Sequence, residues 1–231
     1  MALRPRPSLA SLSFPADLIA PSAQTPDLSR YREFSFGTPL AAVAKQTDTG
    51  SSEITVVHER PALIQEMNWR LPPALDSSSA ADPVESIVFS FYNSELFRMV
   101  VNYAPERTEG LSEPDLIKVI SATYGTAARP AGKTTLVALS LAEAASDRLI
   151  ARWETPQYSV SLVRSSGDAS FAMLLLSKEL NSKARTAAAD ATRIEEREAP
   201  QKEIARLKQQ DDDERDARAK TKLENQAAFR P

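Results

Sequence analysis

The chain has 231 residues, 42% of them hydrophobic and 26% charged, with a formal net charge of −3, no Cys, one His and six Gly. Those counts fit one globular domain with extensions, and they remove disulfides, thiol nucleophiles, thiolate metal sites and His-rich zinc sites. The charge leaves no basic footprint for nucleic acid, and no run of about 18 apolar residues offers a transmembrane segment.

Residues 1–29 read as a leader. Arg4 and Arg6 precede a mildly apolar stretch over 9–14, and the small residues Ala20, Ser22 and Ala23 follow, which is the order of a signal peptide. Pro15 and Asp17 interrupt its apolar core, so the alternative is a disordered Pro/Ser-rich leader.

An α+β domain is expected over 30–179. Residues 32–36 alternate as a strand with Phe34 and Phe36 on one face. Gly37 then turns the chain, with Thr38 as N-cap and Pro39 at the first position of a short helix through Leu40, Val43 and Ala44, ending near 47–50. Strands follow at 54–59 and 63–71, then a polar loop containing Pro72, Pro73 and 76–82.

The clearest hairpin comes next. Ile87, Phe89 and Phe91 alternate with Val88 and Ser90, a turn falls near Asn93-Ser94, and Phe97, Met99, Val101 and Tyr103 continue the alternation. Ser112 and Asp115 form a capping box for a second helix, Leu111 and Leu116 a hydrophobic staple, and Gly125 the stop. Its buried face carries Leu116, Ile117, Ile120 and Tyr124. Residues 136–141 fit a buried strand or a short helix. Strands at 149–154, 158–164 and 170–177 complete the domain, with Ser166-Gly167-Asp168 as the last turn.

The two halves share a pattern: a capped helix, a strand carrying a Trp (Trp69, Trp153), then a hairpin. The expected fold is therefore an antiparallel sheet with two helices on one face, with a duplicated helix-plus-meander unit as one form of it. Residues 180–231 read as a charged helical or disordered tail, with twelve Lys/Arg against eleven Asp/Glu and i,i+4 pairs such as Asp211 with Arg215. Pro200 is expected to divide that helix or to start its second part. The scattered Ile194, Ile204, Leu207 and Leu223 give no heptad seam. Removing 185–231 is expected to leave the domain folded.

Chemical motifs fail on spacing. Ala131-Gly132-Lys133-Thr134-Thr135 resembles the end of a phosphate loop, but the Gly required five residues earlier is Ala127. The six glycines supply neither a Gly-x-Ser-x-Gly elbow nor a Gly-x-Gly loop. His58 and Glu59 fall on opposite faces of a strand, so they form no local dyad. Paired-carboxylate hydrolysis stays open because 31 acidic residues are present, and none is singled out. No catalytic residue, cofactor or metal ligand is assigned. Most sheet aromatics should be core, while Tyr92, Tyr103 or Tyr158 on an open face would form a contact surface.

The stretch Tyr31-Arg32-Glu33-Phe34-Ser35-Phe36-Gly37-Thr38, with Glu198-Ala199-Pro200 and the ending Phe229-Arg230-Pro231, resembles exported bacterial proteins of unknown function that join a small α+β domain to a charged extension. The resemblance implies export to the periplasm or beyond, against a cytoplasmic alternative, and implies no activity. The expected function is a non-catalytic binding or accessory module, exported or envelope-associated, offering a sheet face or edge to a protein or small ligand. The alternatives are a carboxylate hydrolase and a scaffold that self-associates through its tail.

Overall fold

Period-two alternation of apolar side chains builds most of the domain, because each strand must hide one face. The computed structural model describes residues 26–50, 53–71, 82–130, 136–137, 146–165, 170–228 and 230. Most of the leader, the Pro72-Pro73 loop, the 131–135 motif and the Ser166-Gly167-Asp168 turn lie outside these.

A small hairpin of β1 (Arg30–Tyr31) and β2 (Phe34–Ser35) precedes α1 (Leu40–Thr47). Then come β3 (Ile54–His58), β4 (Ile64–Arg70), β5 (Val84–Tyr92) and β6 (Glu95–Tyr103). The short α2 (Pro105–Thr108) leads to α3 (Glu113–Tyr124), followed by β7 (Leu136–Val137), β8 (Asp147–Glu154), β9 (Tyr158–Arg164) and β10 (Phe171–Ser177). The last element is α4 (Lys178–Ala228). Seven long strands and the two-residue β7 make one antiparallel sheet in the order β3-β4-β5-β6-β10-β9-β8-β7. The protein is α+β.

That order is a helix-plus-meander written twice: α1 with β3–β6, and α3 with β7–β10, joined where β6 meets β10. The register locates the symmetry. One row across the sheet runs Trp69, Ile87, Val101, Met173, Leu162, Ala151, and the next runs Met67, Phe89, Met99, Leu175, Val160, Trp153. A two-fold axis through the Val100–Leu174 pair exchanges these rows, carrying Trp69 onto Trp153.

Both rows face one core. Val43 of α1 and Leu116, Ile120 and Tyr124 of α3 pack into it, so the two helices share a face as expected. The opposite face carries Ser90, Arg98, Ser159 and Ser161, all buried, and the start of α4 meets β6 and β10 there. Ala184, Ala187 and Ala191, spaced to share one face of α4, are its buried residues. Clips tie the same stretch down: Lys178 to Glu154 at 2.9 Å, and Arg60 to Glu198 through bonds of 3.0 and 3.2 Å.

Several local expectations change. Residues 32–36 are not one strand, because Arg32 adopts a left-handed φ of 53° and turns the chain between β1 and β2. The N-cap of α1 is Pro39, not Thr38, and no side chain caps it. In the β5–β6 hairpin Phe97 is an extra, bulged residue, so Leu96 enters the main core opposite Phe91. The capping box and Gly125 stop of α3 stand as read, but Leu111 is 45% exposed and closes no tight staple. Helix α4 runs through Pro200 without dividing. A boundary at 180 falls within this helix, and removing 185–231 would strip Ala187 and Ala191 from the sheet.

Candidate functional site

The two symmetry-related tryptophans differ most where each meets the end of its helix. Trp153 is 2% exposed. Its Nε1–H donates to the Gly125 carbonyl at 2.9 Å and to Ser121 Oγ at 3.2 Å, consuming acceptors at the C-terminus of α3. Gly125 allows that approach through a φ of 79°, which a side chain would resist.

At the other end of the sheet, α1 stops on Asp48 in a left-handed conformation that Asp tolerates better than most residues, with its backbone N–H donating to the Ala44 carbonyl. Trp69 is half-buried there and packs edge-on to Phe34 with centroids 5.8 Å apart. Its N–H has no acceptor among the described residues. It instead lines an open groove of about 480 Å³. Thr47, Asp48 and Thr49 at the end of α1, Glu53 before β3, and Asn68 and Arg70 on β4 form the other walls. The β3–β4 register ends at Ile54 opposite Met67, so Asn68–Arg70 runs past the last paired residue of β3. A closed, hydrogen-bonded corner in one half is an open polar groove in the other.

The sequence-nominated tyrosines are not brought together. Tyr103 packs against the main core, its hydroxyl 3.9 Å from Met173 Sδ, and burial raises its pKa. Tyr158 packs there too and stacks on Phe36 at 5.5 Å. Tyr92 stands two residues beyond Ser90, at the hairpin turn and near Lys183 of α4. Sequence reasoning paired Trp69 with Trp153 but missed the groove, whose signal was the contrast between Asp48 and Gly125 as helix stops.

Two other polar places are built around arginines. A groove of about 600 Å³ beside Tyr124 contains Arg30 and Arg32, but Asp27 holds Arg30 at 3.1 Å and Asp82 grips Arg32 through two 2.8 Å bonds. Burial pushes the Tyr124 hydroxyl up to about 12. On the α4 side of the sheet, burial lowers the Arg98 guanidinium to about 10, with Glu66 opposing that shift and Arg185 adding to it.

Among the described residues, no group of three His, Cys, Asp or Glu could hold a metal ion, and no helix is long and apolar enough to cross a membrane. Among the described carboxylates, those that shift, such as Asp82, Asp115, Glu154 and Glu198, move downward through hydrogen-bonded partners. Comparison with protein-family models, curated proteins and solved structures finds no match.

Proposed function

We propose that the protein is a non-catalytic accessory module whose α+β body sits at the base of a stiff helical arm. The observation that carries this reading is the exposure of every residue from 199 to 228, the last stretch of a helix of 51 residues that begins docked on the sheet. Thirty helical residues span about 45 Å. A helix polar on all sides persists when it bridges solvent and is laced with charge pairs. Lys202–Glu198, Arg206–Glu203, Arg215–Asp211 and Arg218–Glu214 supply them. Ile204, Leu207 and Leu223 are exposed, but Leu223 lies about 100° around the helix from Ile204 and about 160° from Leu207. They form no seam for a coiled coil. The arm thus sets a distance between the body and a partner protein at its far end.

Export belongs to the same proposal and rests on residues 1–25. A mature N-terminus near 20–25 in natively expressed protein, read by mass spectrometry, would support it, and an intact leader would remove it.

The absence of Cys makes the arm straightforward to measure, because introduced cysteines are the only ones. Nitroxide labels on Gln201→Cys and Asn225→Cys should give one narrow distance near 36 Å, the length of 24 helical steps. Light scattering should find a monomer at low and high protein concentration. A short, broad distance distribution would sink the stiff arm, and a dimer lost on truncation after Pro200 would favour self-association instead.

A further inference from the structure

We infer that the groove beside Trp69 binds a neutral polyhydroxylated ligand, a saccharide ring or short oligosaccharide. This inference stands apart from the arm and uses the opposite end of the sheet edge. The fold contains the same corner twice, and in one copy the indole N–H, the helix end and the neighbouring hydroxyl satisfy one another. In the other copy the equivalent tryptophan lines a groove of about 480 Å³, within the usual range of small-ligand sites, and its N–H has no acceptor among the described residues.

The lining selects the ligand class. Asp48 and Glu53 supply acceptors, while Asn68, Arg70 and the Trp69 N–H supply donors. A hydroxyl group does both, and adjacent hydroxyls match the paired atoms of a carboxylate or guanidinium. The C–H face of a sugar ring suits an indole that is apolar over its body and polar at its tip. Phe34, itself buried, braces Trp69 from the protein side, so the platform is held in place. Other classes fit less well. Two carboxylates against one guanidinium disfavour a phosphate or other anion. An apolar ligand would strand these charged groups without water. A quaternary ammonium ion is best held by an aromatic cage, and this groove has one aromatic wall.

The two tryptophans make the test direct, because each gives its own indole N–H resonance in ¹⁵N-labelled full-length protein. Trp69→Phe assigns the peaks by removing one. Glucose, maltotriose, xylotriose and tri-N-acetylchitotriose would be titrated separately to about 10 mM, enough to fill most of a site with a Kd near 1 mM. At least one saccharide is expected to move the Trp69 resonance while the Trp153 resonance stays still. Asp48→Asn keeps a residue that tolerates the left-handed backbone. It should weaken the effective saccharide about tenfold, a loss of roughly 1.4 kcal/mol in binding. Arg70→Ala, at an exposed position, should also weaken it and serves if Asp48→Asn fails to fold. Tetramethylammonium chloride and inorganic phosphate complete the set. Movement of the Trp69 peak with either of these and with no saccharide would overturn the assignment. So would equal movement of both indoles, or no movement with any saccharide.

Discussion

Trp69 and Trp153 occupy equivalent positions in a twofold-repeated sheet, yet one lines a groove and the other seals a corner. The difference lies less in the tryptophans than in how the preceding helices stop. Gly125, with its positive φ, delivers a backbone carbonyl to the Trp153 N–H. Asp48 ends α1 without such a contact, and β3 is paired too short to cover the last residues of β4. Repetition of a unit therefore fixes the scaffold, while the turn after each helix decides whether its corner closes.

Removing each indole in turn should separate the two corners most. Trp153→Ala should cost about 3–5 kcal/mol, as for other large core truncations, whereas Trp69→Ala should cost about 1–2 kcal/mol because only part of its surface is lost from the core. Urea denaturation of the two variants checks the order. Equal losses would show that the Trp69 corner is as closed as its mate.

The helix stops give the next effect. A Cβ on Gly125 would stand 2.9 Å from Pro26 Cγ on a backbone with φ of 79°, so Gly125→Ala should destabilise by about 1–3 kcal/mol. Asp48→Gly relieves a left-handed non-glycine residue and should instead stabilise by about 0.5–1 kcal/mol. Opposite signs at the two stops, read as shifts in melting temperature, would confirm that the corners are built differently.

The smallest effect concerns the helix starts. Ser112, through its side chain and then its backbone N–H, holds the Asp115 carboxylate below its ordinary value. Asp115 therefore stabilises the start of α3 above the unfolded pKa near 3.9, and that contribution is lost as pH falls through the lower native value. No side chain caps α1 and its first turn contains no acid. Amide exchange in the first turn of α3 should accelerate with acidification in that window, relative to intrinsic rates, while α1 shows no matching change.

Local signals were readable in the sequence wherever one stretch of chain contained the whole interaction. Ser112 with Asp115 announced a helix start, and Asn93-Ser94, both at positive φ, announced the β5–β6 turn. The paired tryptophans announced the repeat. Interactions between distant residues were hidden. Docking of α4 relies on Ala184, Ala187 and Ala191, whose small side chains carry little hydrophobic signal in a charged segment. The bulge at Phe97 leaves the alternation of apolar residue types intact while changing which side chain enters the core. The groove at Trp69 depends on where β3 ceases to pair, a property of two strands and a helix end together.

The junction of β6 with β10 has a consequence for folding kinetics. Every other pairing in the large sheet joins strands that are neighbours in sequence, so each meander can zip up through nearby contacts. Among these pairings, that at Val100 and Leu174 alone joins strands far apart in sequence. The entropic cost of closing a long loop is therefore concentrated at that one seam, which makes it the step expected to limit the rate of folding.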